Sequence, residues 1–494
     1  MPRPLVLIHG YSAAGDDFVP LRNALSKQHV AASDINICNY VSLNNEITIK
    51  DIAEGLERAL RTHPVLQDEK RDFDAIVHST GMLVLRAWLT NAKVPPSQNT
   101  RLKRLKHLIG LAPATWGSPQ AHKGRTWLGA LVKGGKTLGP DFLNAGDRVL
   151  EGLELASPFT WDLAHIDLLG PEPYYDRGTD TPYVAVFIGN TPYDGVASVA
   201  NDPGTDGTVR WSGCGLNTRK ITIDLTRKPV DPEGQKVARA TISEWADNRL
   251  DVPIIPVDGR NHGSLISDPE SGMVDLMLDF LNVGETAGKV FDAWLADARQ
   301  YGKKALPKML VNPGAGAAGI TGEARAFFEH LIGHEAGPDM EGWQQFVVHA
   351  RDERGDGVAD YMIEVLMKKG ETWTPFNDMY TDVHAYGPDS SYRCFHVRLP
   401  KGIAAGQFQL MIRIHASTGT ELMAYQGYGD THVQLTATSE PVELDISAVN
   451  KPGATLFYPF TTTLIEIILN REPLPFDGMS RLLTFPSLSA TPGI

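Results

Sequence analysis

In DFDAIVHSTGMLVLRAWL, residues 72–89, a serine follows a run of strand-forming apolar residues and precedes a helix-forming one. A strand, sharp turn and helix of this kind lift a hydroxyl out of the end of a sheet. There a neighbouring base can take its proton and the oxygen can attack an acyl carbonyl. Ser79 is therefore the candidate nucleophile. The usual spelling is G-x-S-x-G, because strand and helix pass too closely for side chains on either side of the serine. Gly81 satisfies the second position, but Val77 occupies the first. The pentapeptide alone is a weak signal, since a serine in such a loop can equally be a helix N-cap.

Acyl transfer also needs a base and an acid to orient it. NDPGTDGTVRW (201–211) offers Asp206, with Asp202 as a less favoured competitor, and VPIIPVDGRNHGSLISD (252–268) carries His262 in the loop after an apolar strand. Taken singly, an Asp-Gly pair reads as a solvated β-turn and a loop histidine as a surface residue. The chain order Ser79, Asp206, His262 gives them a joint reading as nucleophile, acid and base.

The elements around these residues set their positions. Over the first 280 residues, short apolar runs alternate with helical stretches, which predicts a parallel sheet covered on both faces. Strands are expected at 5–9, 73–77, 105–111, 183–189 and 252–257, with helices at 50–62, 82–92, 271–283 and 286–301. Residues 120–180 break the alternation with amphipathic helices. They are a cap or lid candidate in which Trp127, Leu128, Leu131, Phe142, Leu153, Phe159 and Trp161 either wall an acyl pocket or simply pack the core. The Gly/Ala-rich NPGAGAAGITGEA (312–324) has linker composition. Beyond it the period becomes two: in QFQLMIRI (407–414), Phe408, Leu410, Ile412 and Ile414 share one face. WQQFVVHA, DYMIEVLM, CFHVRL and TTTLIEIIL read as further strands of an antiparallel β-sandwich. The expected division is a catalytic domain over 1–284, a helical and Gly/Ala-rich linker over 285–340 and a sandwich over 341–494.

Length and composition restrict the alternatives. A chain of 494 residues exceeds what one core supports, so two domains are expected. Its net charge of -13 disfavours a nucleic-acid partner. The three cysteines, Cys38, Cys214 and Cys394, are widely spaced and indicate neither a disulfide scaffold nor a zinc site. No run of about 18 apolar residues suggests a transmembrane span, and the start MPRPLVLIHG does not resemble a signal peptide. A cytoplasmic protein is expected, or a secreted one if a leader has been removed. The apolar strand faces of the sandwich need cover, which a neighbouring domain or a second copy in a homo-oligomer would provide.

LIHGYS, VHSTG, LAPATWGSP, TDGTVRWS and RNHGSLISD together resemble α/β-hydrolases of the microbial lipase and carboxylesterase kind, over about residues 1–283. The resemblance implies carboxylic-ester hydrolysis through an acyl-enzyme on small-molecule, lipid-like or polyester substrates, with no cofactor and no metal. It also implies an oxyanion hole formed by the backbone N–H of Tyr11, after the His9-Gly10 pair, and that of Thr80. His9 and His78 read as shape-defining. The same triad would permit thioester or amide hydrolysis, and a silent hydrolase fold acting as a binding module is the remaining class.

Overall fold

The computed structural model describes residues 3–10, 15–28, 35–38, 40, 44, 46–124, 146–176, 180–193, 201–227, 231–235, 237, 239–242, 252–285, 288–311, 340–376, 379–420, 422–426, 441–446 and 456–473. Seventeen strands can be followed within them. Six form a parallel sheet: β1 (Leu5–Ile8), β2 (Ile35–Cys38), β3 (Phe73–His78), β4 (Leu105–Leu111), β5 (Tyr183–Gly189) and β8 (Ile254–Val257), in the spatial order β2-β1-β3-β4-β5-β8. Burial is continuous along β1 and β3, as expected when helices cover both faces. The helices Ile49–Thr62, Gly81–Thr90 and Pro158–Asp167 pack on one another, and Val19–Gln28, Ser271–Phe280 and Phe291–Gly302 make a second group. Thr48 starts the first of these with a capping box: its hydroxyl accepts from Asp51 N–H and Asp51 accepts in return from Thr48 N–H.

The expected runs at 105–111 and 183–189 form strands over the whole of their length. The strand Ile35–Cys38 has no counterpart in the sequence reading. It is four residues long, lies at the sheet edge and is mostly half-buried, so it lacks the apolar run that marks its neighbours.

The remaining strands build a β-sandwich. A four-stranded antiparallel sheet has the order β11-β10-β14-β16, with β10 (Tyr361–Lys369), β11 (Thr372–Pro375), β14 (Leu410–Ala416) and β16 (Val442–Asp445). A seven-stranded sheet has the order β12-β13-β9-β17-β6-β7, with β15 (Met423–Gln426) pairing on the end of β17. Its members are β6 (Thr218–Asp224), β7 (Ala240–Ile242), β9 (Met340–Asp352), β12 (Tyr380–Ala385), β13 (Tyr392–Pro400) and β17 (Thr461–Pro473). Two features differ from the sequence expectation. β17 runs parallel to both of its neighbours, β9 and β6, so this sheet is mixed. β6 and β7 also lie within the stretch 1–284, so the sheet crosses the boundary drawn from composition.

The larger sheet is a middle layer. On one side Phe346, Val348, Phe395, Val397, Ile465 and Ile467 join the sandwich core with Val365, Leu410 and Ile414 of the smaller sheet. On the other, Trp343, Val347, Cys394 and Leu464 join the core of the parallel-sheet body. Of the cap candidate, residues 125–145, with Trp127, Leu128, Leu131 and Phe142, lie outside the described residues, as does NPGAGAAGITGEA. Leu153 and Trp161 are core residues, and Trp161 meets His349 and Tyr392 of the sandwich edge-on.

Candidate active site

Because β1 is flanked by β2 on one side and β3 on the other, the chain direction across the sheet reverses there. In open parallel sheets the crevice outside the carboxyl ends of the strands at such a point is where ligands bind. Ser79 sits there, on the turn between β3 and the helix Gly81–Thr90. Its φ of +53° is a left-handed value that a non-glycine residue adopts only when its surroundings impose it. Its N–H donates to Leu111 O at 3.2 Å and its carbonyl accepts from Ala114 N–H at 3.0 Å, which ties the turn to the end of β4. Two glycines make room. A Cβ on Gly81 would stand 2.6 Å from Ile8 O, and one on Gly10 would stand 2.8 Å from Ser79 Cβ. Val77 is fully buried, and its register partner in β4 is Gly110. The space over Gly110 is filled by Met82 Cε and Pro113 Cγ, each 3.0 Å from where a Cβ would stand, so Val77 sits in a closely packed core.

Asp206 and His262 are brought together. His262 Nδ1–H donates to Asp206 Oδ2 at 3.0 Å and His262 N–H donates to Asp206 O at 3.1 Å. Asp206 Oδ1 accepts from Thr208 N–H at 3.0 Å and Val209 N–H at 2.9 Å. The Asp-Gly pair is thus a turn, as its residue types suggest, but the carboxylate is buried and fully bonded rather than solvated. With Nδ1 carrying the proton toward the carboxylate, His262 Nε2 is left as the basic nitrogen. Asp202, the competing acid, instead lines a cavity with Pro203, Arg210 and His396.

His78 joins the two halves of the site. Its Nε2–H donates to His262 O at 3.0 Å, and its peptide leads directly into Ser79. Burial, followed by the nearby His262, pushes its pKa down to about 3, so it stays neutral. His9 is shape-defining too: its Nδ1–H donates to Gly10 O at 2.7 Å, its Nε2 accepts from Tyr40 N–H at 3.2 Å, and its ring stacks on Tyr40 with centroids 4.2 Å apart. Among the described residues Ser79 Oγ makes no hydrogen bond, so the contact from nucleophile to base is not closed in this geometry. Thr80 N–H likewise has no acceptor among them and lies at the N-terminal end of the helix, as an oxyanion donor would require. Tyr11, the other expected donor, lies outside the described residues.

Two supports of the site have no counterpart in the sequence reading. Arg86, on the helix after Ser79, is fully buried; it bonds both oxygens of Asp167 at 2.8 and 2.9 Å and Thr115 O at 2.7 Å. A charged residue on an otherwise apolar helix was the available signal. Arg210, four residues after Asp206, donates to Asp382 and to Cys394 Sγ of the sandwich, while the Trp211 ring meets Trp343 at 6.3 Å.

The sheet order and the strand–turn–helix at Ser79 define an α/β-hydrolase fold for the parallel-sheet part of the chain, with a β-sandwich attached. No family model matches the chain, and no curated protein matches it in sequence. Among solved structures it is similar to phospholipase PlaB from Legionella pneumophila, with a TM-score of 0.72 and 19% identity over 100% of this chain and 97% of that one. PlaB in complex with thio-NAD aligns over the same shares at a TM-score of 0.68 and 19% identity. The likeness in fold therefore extends through the sandwich as well as the parallel sheet.

Proposed function

We propose that this protein is a serine hydrolase of carboxylic esters, in which Ser79 is the nucleophile, His262 the base and Asp206 the acid that orients it. The observation that carries this reading is the joining of residues far apart in the chain. Asp206 and His262 are bonded to each other through side chain and backbone, and His262 is bonded in turn to the residue preceding Ser79. His262 Nε2 would take the Ser79 proton as Oγ attacks the ester carbonyl. The oxyanion would be held by Thr80 N–H and, as the sequence resemblance suggests, Tyr11 N–H. Protonated His262 then passes its proton to the departing alkoxide. Water, deprotonated by the same nitrogen, releases the acid from Ser79.

Phospholipids are the substrate class we favour within the esters, because the full-length likeness in fold is to a phospholipase. The test is a panel of phospholipids, soluble acyl esters, thioesters and amides, run with Ser79→Ala and a fluorophosphonate probe. We expect phospholipid and ester turnover, labelling at Ser79, and a fall in kcat of roughly 10⁶-fold in the variant. Turnover by Ser79→Ala near that of the unaltered protein would exclude Ser79 as nucleophile.

A further inference from the structure

Away from Ser79, three side chains able to ligate a metal converge where the catalytic body meets the sandwich. His122 comes from the helix Pro119–Gly124, Glu154 follows the helix Asp147–Leu153, and His384 belongs to β12. His384 Nε2 lies 2.9 Å and His122 Nδ1 3.3 Å from the same oxygen, Glu154 Oε1. All three ligand atoms lie within 4.8 Å of one another, and the two imidazole rings meet edge to face at 5.2 Å. Gly387 N–H also donates to Glu154 Oε1, at 2.9 Å.

A carboxylate between two imidazoles can be simply a hydrogen-bonded cluster. Two observations go further. Ligands at about 2.0–2.1 Å from a tetrahedral zinc stand about 3.3 Å apart, so small rotations of these side chains suffice to enclose an ion. The cluster also borders a cavity of about 220 Å³, lined in addition by Asp202, Arg210, Asp382 and His396. His396 is buried there with Nε2 lacking any partner, so the cavity wall carries a spare nitrogen as well as the carboxylates.

We infer that His122, Glu154 and His384 form a site for a divalent first-row transition metal, with zinc the best match to two imidazoles and one carboxylate, fastening the sandwich to the catalytic body. In the metal-bound form each imidazole would be the neutral tautomer with its proton on the other ring nitrogen, Nδ1 of His384 and Nε2 of His122, so that the lone pairs of His384 Nε2 and His122 Nδ1 face the ion, and water from the cavity completes the coordination. The ligands come from three chain segments on both sides of the junction, so the ion acts on the stability of that junction. This inference does not rest on the ester-hydrolase reading.

The test uses the full-length protein, treated with chelator and dialysed, then titrated with Co²⁺ and Zn²⁺. We expect one Co²⁺ per chain with visible d–d absorption, displaced by Zn²⁺, and a Tm that rises with Zn²⁺. The His122 side chain is 61% exposed, so His122→Ala should fold normally. Loss of an outer-shell partner already weakens metal binding about 10–100-fold, so loss of this ligand should weaken it by at least about 100-fold. His122→Ala should also abolish the Zn²⁺-dependent rise in Tm while leaving the metal-free Tm and ester hydrolysis unchanged. His384→Ala should lose Co²⁺ binding in the same way. The inference is overturned if the unaltered protein gives no Co²⁺ absorption and no Zn²⁺-dependent Tm shift, or if both variants bind Co²⁺ as tightly as it does.

Discussion

Ser79 occupies a left-handed backbone conformation that costs of order 1–3 kcal/mol, and the atoms that enforce it are those of Gly10, Gly81 and the bonds to Leu111 and Ala114. A methyl group on Gly10 would press on Ser79 Cβ rather than on a side chain that can swing away. Gly10→Ala should therefore lower kcat by at least about tenfold, the effect of misplacing a reacting atom, while the fold persists. A kcat within twofold of the unaltered value, with normal Tm, would show that the serine position tolerates the shift. Asp206→Asn keeps the shape of the turn but gives His262 the wrong tautomer, so kcat should fall by about 10⁴-fold with Tm little changed. At this scale the sequence was informative about identity and silent about contact. Residue types and chain order nominated Ser79, Asp206 and His262 as candidates, but nothing local said that Asp206, rather than Asp202, would be buried against the histidine.

Val77 tests how an element absorbs a departure from its motif. Val77 is fully buried and faces Gly110 in register on the adjacent strand, with Met82 and Pro113 packed into the space over that glycine. Restoring the customary spelling with Val77→Gly should not improve catalysis. It should remove a core side chain and loosen β3, lowering stability by about 2–4 kcal/mol in denaturant titration. Elements were legible where a continuous apolar run paired with near neighbours in the sheet, as at 105–111 and 183–189. They were lost where pairing is remote: TRKITID (218–224) alternates cleanly, with Arg219, Ile221 and Ile223 buried, yet its partner is Thr462–Ile468. Alternation signals a half-covered strand, but it carries no address for the strand that covers it.

The whole molecule is less divisible than its composition suggests. β17 lies between β9 and β6; Gln345 donates to Thr462 Oγ1, which donates to Ser212 O; and Arg210 reaches from the Asp206 loop to Asp382. A chain ending near residue 305 would leave β6 without its parallel partner and the acid loop without Trp343 behind it. We expect such a chain to lose fluorophosphonate labelling of Ser79 as well as cooperative melting. Labelling at the full-length rate would show that the acid loop holds its place unaided. We expect the same junction to be sensitive to acid. The His349 imidazole, stacked on Tyr392 and against Trp161, is pushed down to about 4, chiefly by burial. In the unfolded chain it titrates near 6.5, so between these values only the unfolded state takes up the proton. Its contribution to stability is complete above about pH 6.5 and is lost as pH falls toward 4. His349→Gln should flatten the dependence of unfolding free energy on pH across that window; an unchanged slope would assign the acid sensitivity to other buried histidines.

The placement of β17 also bears on when the proposed site can be completed. A ribosome reading this message finishes Ser79, Asp206 and His262 long before it reaches the strand at Thr461–Pro473 that holds the acid loop's sheet together. The segment between Ser212 and Thr462 spans 250 residues, so this contact closes late and at high loop-closure cost. A nascent chain would carry all three proposed catalytic residues and still lack the strand that backs the Asp206 loop's sheet. On the reading proposed above, the site would be completed only once Thr461–Pro473 has been made and has paired with β6.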